Sequence, residues 1–362
     1  MRIELVKRSQ HSTFFALASP FIAFALTLIA GAILFAAIGK SPLTGLYLYF
    51  VEPLTQLWSV HELAVKAGPL IMIAVGLSVC YRSNNWNIGA EGQFIAGAIL
   101  GSAIPILMPG FQNFLTLPLM LLLAMAGGAL YAGIPAYLKA RFNANEILTS
   151  LMLVYVAQLF LDWLVRGPWR NPQGYSFPGS IRFPDAATLP EIFPSQGAAH
   201  YGFVLALIAA IAVWFFLSRT LKGFEVRVLG ASPRAGRFAG FSTKGMIFLS
   251  FMLSGALAGL AGIAEVSGAI GQLREVISPG YGFTAIIVAF LGRLNPLGAI
   301  VAGLLLALTY LGGEAAQISL GISDKVVRVF QGMLLFFVLA CDTLIHYRVR
   351  FVTAISGEAR NA

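Results

Sequence analysis

Ten apolar runs separated by polar breaks dominate the chain: residues 14–38, 63–81, 92–109, 115–138, 147–165, 201–217, 246–266, 277–292, 296–315 and 326–345. About 20 consecutive apolar residues suffice for a helix to cross the hydrocarbon of a bilayer. In lipid the backbone can satisfy its own polar groups only as helices or a closed barrel. The pattern therefore predicts an all-α polytopic membrane protein with about ten transmembrane helices. The eighth run is short and is interrupted by Gly280 and Gly282. The first, Phe14 to Gly39, holds 26 residues without a charge. That exceeds the apolar region of a signal peptide, about 7–15 residues, so it is read as a retained helix.

The polar breaks carry the orientation. Residues 1–13, Arg82, 139–146, 219–244, Arg293 and 346–362 hold 16 of the 24 Lys and Arg. They fall on alternate sides of the runs, which by the positive-inside rule puts both termini in the cytoplasm. The expected organisation is an N-terminal tail over 1–13, a transmembrane domain over 14–345 and a C-terminal tail over 346–362. Composition agrees: 58% of residues are apolar and 11% charged, against about 25% charged in soluble domains. The net charge of +9 is what basic cytoplasmic loops produce and needs no nucleic acid. Cys80 and Cys341, the two cysteines, exclude a disulfide framework. The longest external break, 166–200, is rich in Pro, Gly and aromatics and reads as an ordered irregular loop. Trp163, Trp169, Tyr175 and Tyr201 suit an interfacial belt. Gly97–Gly101 and Gly255–Gly259 form GxxxG steps, read as close packing within the bundle.

Three stretches are candidates for function. Arg219–Lys244 carries six cations against Glu225 alone. Within it, FEVRVLGA and PRAGRFAGF read as short amphipathic pieces broken by Gly230 and Pro233. Such a loop either orients the chain or docks a cytoplasmic partner. Arg82–Phe94 crowds Asn84, Asn85, Asn87, Glu91 and Gln93 together at a helix junction. Polar side chains at membrane depth mark a pathway, a broken helix or a buried network; the other reading is a cytoplasmic turn with Asn caps. Ser278–Ile300 is punctuated by Gly280, Gly282, Gly292 and Gly298, and Asn295-Pro296 starts the next helix. It either shapes a cavity or packs against its neighbours. Glu265, Glu314 and Asp342 sit near helix ends, where snorkelling or capping explains them, and Asp324 reads as an N-cap.

Enzymatic signatures are missing. Gly39-Lys40-Ser41 ends like a phosphate loop, but Leu34 stands where that loop needs Gly. No HExxH, CxxC or GxSxG occurs, and His11, His61, His200 and His346 are scattered. A proton-coupled carrier would want an acid in mid-span, and none is placed there.

Four segments together carry a resemblance. NIGAEGQF at 87–94, ARFNANEILTSLMLVYVA at 140–157, GASPRAGRFAGF at 230–241 and GFTAIIVAFLGRLNPLGAI at 282–300 resemble the permease subunits of bacterial ABC importers. The matching branch holds ribose, branched-chain amino acid and nucleoside permeases, and the wording is nearest the nucleoside and simple-sugar members. The resemblance runs from about residue 60 to 345, with Val154 standing where relatives commonly have Asn. It implies an inner-membrane translocation subunit that binds no cofactor, ATP being hydrolysed by partner ATPase subunits. Its other partners would be a second homologous permease or a copy of itself, a periplasmic or lipid-anchored substrate-binding protein, and membrane lipid. The substrate would be a nucleoside or simple sugar, the alternative being branched-chain amino acids or another small polar solute. The implied pathway residues are Asn84, Asn85, Asn87, Glu91, Gln93, Asn145, Glu146 and Phe283. The implied ATPase-coupling residues are Glu225, Arg227, Gly230, Pro233, Arg234, Arg237 and Gly240.

Overall fold

The computed structural model describes residues 2–7, 13–174, 177–193 and 198–352. Tyr175, His11 and the tail beyond Val352 lie outside the described residues, as do the side chains of Asp324, Asp342, His346, Arg348 and Arg350. In chain order the elements are β1 (Arg2–Lys7), α1 (Thr13–Ala37), α2 (Pro42–Phe50), α3 (Leu57–Arg82), α4 (Ala90–Leu107), α5 (Thr116–Phe142) and α6 (Glu146–Arg166). There follow α7 (Gly202–Arg219), α8 (Leu221–Ala231), α9 (Pro233–Phe238), α10 (Thr243–Glu265), α11 (Tyr281–Leu291), α12 (Pro296–Leu320), α13 (Asp324–His346) and β2 (Tyr347–Val352). The class is helical, as the apolar runs demand, and each of the ten runs lies on a helix. Among the described residues seven helices are long and apolar enough to cross a membrane: α3 to α7, α10 with its continuation to Ile270, and α12.

The helix boundaries follow local chemistry. The Asn145 side chain accepts from the Ile147 and Leu148 amides and starts α6. Asn143, in the left-handed region, ends α5. The Asn295 carboxamide accepts from Leu297 N at 3.1 Å, with Pro296 in the first position of α12, where its missing N–H costs nothing. At α13 the cap is Ser323, whose hydroxyl accepts from Lys325 N at 3.3 Å, one residue ahead of the expected Asp324.

The chain divides into two compact units, residues 1–48 with 316–362 and residues 49–315. In the first, α1 packs on α13, with Phe35 and Phe330 in ring contact at 6.5 Å. There β1 and β2 pair antiparallel from Arg2↔Val352 to Lys7↔Tyr347. The two ends of the chain are thereby held side by side.

The second unit is built around α10, which packs on α3, α4 and α5; α4 also meets α6, and α3 meets α7 and α11. The GxxxG steps lie at the centre of this packing. A Cβ on Gly97 would fall 2.1 Å from the Gly259 Cα, and one on Gly128 would fall 2.0 Å from the Gly255 carbonyl oxygen. Only glycine lets these backbones touch, which in lipid supplies the dispersion contacts that hold helices together. Beyond Glu265 the helix widens into one π turn, Val266–Ile270. Between α6 and α7 the described residues 167–174, 177–193 and 198–201 form an irregular loop, as the composition suggests. Its amides at Ser180, Phe183 and Leu189 donate to the carbonyls of Leu273, Gly271 and Ser267 at 2.8, 2.9 and 3.0 Å.

Candidate functional site: a buried polar knot and the helices beneath it

Between α3 and α4 the chain turns at Ser83 and Asn84 and runs without regular structure to Gly89. Asn84, at φ 56, makes the turn, its short polar side chain tolerating the left-handed region. This residue is exposed, whereas its neighbours point inward: Asn85, Asn87, Glu91 and Gln93 are all buried.

These buried groups satisfy one another. Asn87, with 0% exposure, donates to Gln93 Oε1 at 2.9 Å and to Ser254 Oγ at 3.2 Å. Its Oδ1 accepts from Gln93 Nε2 at 2.9 Å and Gly89 N at 3.0 Å. Asn85 donates to Ser83 Oγ at 2.9 Å and Ser250 Oγ at 3.1 Å. Ser250 and Ser254, four residues apart on one face of α10, are the partners on the facing helix. From α5, Lys139 Nζ donates to Asn85 Oδ1 at 2.8 Å and to Glu146 Oε1 at 2.5 Å, so one ammonium ties the knot to the start of α6. Trp86 N also reaches Glu146 Oε1, at 3.4 Å, and Ile88 N reaches the α6 hydroxyl of Ser150 at 3.2 Å. A buried polar group left unpaired costs about 1–3 kcal/mol. The closed bonding of this knot is therefore what permits so many amides inside an apolar bundle.

Glu91 faces another direction. Its Oε2 accepts from Gly282 N at 2.6 Å, so the carboxylate caps the N-terminus of α11, where the helix dipole favours an anion. Ser278 Oγ accepts from Gly280 N and Tyr281 N at 3.0 and 2.9 Å, completing the cap. Gly280 itself sits at φ 105. Phe283, on the first turn of α11, is exposed. Asn145 is exposed and acts as the α6 cap.

The basic stretch 219–244 folds as two helices. Gly230 lies inside α8, and the break comes at Ser232, whose hydroxyl caps α9 by accepting from Ala235 N. This corrects the expected break at Gly230. The residue is glycine for another reason: a Cβ there would meet the Arg82 carbonyl oxygen at 1.8 Å and the Arg82 carbonyl carbon at 2.8 Å. The α8 backbone thus presses on the last residue of α3, directly ahead of the knot. Pro233 takes the first position of α9, and Gly240, at φ 83, closes it. Glu225 pairs with Lys222 at 2.8 Å. Arg227, Arg234 and Arg237 are exposed, and so is Phe238, at 95%. An aromatic ring displayed on the same short helix as two exposed arginines is a surface that sequence reading missed, because a Phe in a basic loop gives no sign of its direction. The knot and α8 therefore meet at Arg82, while Asn84, Asn145 and Phe283 stand outside the hydrogen-bonded cluster.

Residues 59–339 match the family described as the branched-chain amino acid transport system / permease component. The chain is 36% identical to the glucose ABC transporter permease protein of Haloferax volcanii, over 96% of this chain and 94% of that protein. It is 31% identical to the guanosine ABC transporter permease protein of Bacillus subtilis, over 96% and 97%. It is 28% identical to the nucleoside ABC transporter permease protein of Lactococcus lactis subsp. cremoris, over 88% and 89%. The chain belongs to this permease family: it is a membrane component of a transport system in the cytoplasmic membrane, not a catalytic enzyme.

Proposed function

We propose that this chain is the translocating subunit of an ABC importer for a nucleoside or simple sugar. It pairs with a second permease, homologous or identical, and receives solute from a binding protein outside. ATP is bound and hydrolysed by partner subunits that seat on α8 and α9. In this reading the chain crosses the membrane ten times, the eighth crossing made by α11 together with the non-helical segment ahead of it, with both termini in the cytoplasm. The pairing of β1 with β2 supports this, because it requires the two ends to emerge on one side.

The observation that carries the reading is the contact between Gly230 and the Arg82 carbonyl. A push on α9, through Phe238 and the guanidinium groups of Arg234 and Arg237, reaches α8 and then the end of α3. The knot begins one residue later and is bonded to α5, α6 and α10, while Glu91 extends it to α11. Displacement of α3 is thus transmitted to the helices around Asn87 and not dissipated in a loop. Arginine suits the input surface, since its planar fork recognises acidic partners bidentately.

The substrate class rests on the glucose, guanosine and nucleoside transporters that this chain resembles. The test is ATP-dependent uptake by the complete complex across guanosine, glucose and isoleucine. Import of guanosine or glucose is expected. Import of isoleucine alone would overturn the substrate assignment, and uptake without partner ATPases would overturn the mechanism.

A further inference from the structure

At the opposite end of α3 and α10 from the knot, a second polar group is gathered that neither the fold nor the coupling path uses. Glu265, the last residue of α10, is 7% exposed. Its Oε2 is fully buried and has no hydrogen-bond partner. Around it stand Glu62 and Lys66 from α3 and Tyr281 from α11, all within electrostatic reach of its carboxylate. Lys66 pairs with Glu314 of α12 at 2.8 Å, and Glu314 is half-exposed. Tyr281 meets Tyr310 of α12 edge to face at 5.8 Å. Tyr310 Oη and Thr284 Oγ1 share a hydrogen bond of 2.7 Å. The cluster therefore grades from the accessible Glu314 to the enclosed Glu265, with aromatic rings along the way.

A buried carboxylate oxygen without a donor is costly, and native structures rarely keep one without a use. The surroundings narrow what its donor is. Among the described residues no group of three or more His, Cys, Asp and Glu could hold a metal ion. Three acids, Glu62, Glu265 and Glu314, against the single ammonium of Lys66 disfavour a solute with net negative charge. Hydroxyl groups meet both demands. They donate to carboxylate oxygens in short charge-assisted bonds, while the apolar face of a sugar ring lies against tyrosine.

The geometry points to a transport subsite formed by Glu265, Lys66, Glu314, Tyr281, Tyr310 and Thr284. Its ligand is a neutral polyhydroxylated solute whose hydroxyls supply the donors that Glu265 lacks. This inference rests on the importer reading above and gives that reading a binding place inside the permease. The π turn begins one residue after Glu265, and such turns recur at functional sites.

The experiment is uptake by the complete complex at saturating solute, comparing guanosine with 2′-deoxy- and 2′,3′-dideoxyguanosine, and glucose with its monodeoxy analogues. In E265Q the maximal rate for the hydroxylated solute should fall roughly tenfold, the loss of about one charge-assisted bond. The rate for the analogue lacking the contacting hydroxyl should change less than about twofold on the same reasoning. E314Q, at a half-exposed position, receives the same measurement and decides the matter if E265Q does not reach the membrane. Unchanged preference for hydroxylated over deoxy solutes in the variants overturns the subsite. Equal loss for both solutes, at normal membrane levels, overturns it too, since that marks a structural role. If the unsubstituted complex imports none of these solutes, the importer assignment for sugars and nucleosides fails first, on separate evidence.

Discussion

Replacing Gly230 with alanine tests the coupling path at its narrowest point. Two effects oppose each other. In a helix interior, Gly→Ala gains about 0.8–1 kcal/mol of intrinsic propensity. Against this, the new methyl would lie 1.8 Å from the Arg82 carbonyl oxygen, whereas real Cβ contacts essentially never fall under 3.0 Å. Both partners are backbone, so no rotamer can relieve the clash, and α8 must move away from α3 by more than an ångström. Overpacking of this kind costs about 1–3 kcal/mol, so the docked position loses up to about 2 kcal/mol net, or up to roughly 30-fold in its population. Gly133 is the matched control: it lies inside α5 with nothing within 4 Å of its would-be Cβ, so alanine there meets only the propensity gain. The assay is solute imported per ATP hydrolysed by the reconstituted complex. G230A should retain ATP hydrolysis and lose transport, while G133A keeps both. Wild-type coupling in G230A would refute the claim that force passes through this contact.

Other outcomes follow from the same geometry. Charge reversal of both Arg234 and Arg237 should abolish uptake while membrane levels stay normal; preserved uptake would remove α9 as the docking surface. Asn87→Ala orphans several buried groups at about 1–3 kcal/mol each, so thermal unfolding of the purified protein should shift downward, whereas Asn84→Ala, at an exposed turn, should shift it little. Alanine at Asn84, Asn87, Glu91 and Gln93 together should alter uptake kinetics, and unchanged kinetics would sink their transport role. His200, in the loop ahead of α7, is buried, and burial alone pushes its imidazole from 6.5 down to about 4. Its neutral form is the folded one, so its contribution is fully present above pH 6.5 and is lost as pH falls towards 4. That loss is about 3 kcal/mol at 1.36 kcal/mol per pH unit. Hydrogen exchange of residues 198–203 should accelerate over that window, and a His200→Gln variant should show no such dependence.

Much of the fold was legible because lipid imposes few solutions. Each apolar run lies on a helix, and Asn295-Pro296 marked the start of α12 through local bonds alone, whereas Asn145, expected in the pathway, proved to be the α6 cap. The site was legible only in part. Asn85 and Asn87 drew attention as costly polar residues, but their partners Ser250 and Ser254 lie far along the chain, and no local pattern pairs them. For the same reason the turn and network readings of Arg82–Phe94 could not be separated from sequence: Asn84 is a turn residue and Asn87 a network residue. Glu265 and Glu314 looked like helix-end acids because they are at or near helix ends. What distinguishes Glu265 is enclosure by α3 and α11, which is tertiary. Gly230 was read as a breaker when its role is clearance for another backbone.

The glycine seam among α4, α5 and α10 limits how such a protein can move. Side chains between helices act as bearings: they change rotamer and let one helix slide past another. Here Gly97, Gly128, Gly255 and Gly259 put main chain against main chain, and at these four positions there is no bearing. Sliding along the seam would break the contact without offering another, so these three helices are expected to travel as a single block. Alternation of access is then left to the joints around that block, the return at 83–89 and the segment 271–280 ahead of α11. A bulky residue at Gly259 would therefore act less as a local defect than as a wedge splitting the one part of the machine that has to stay whole.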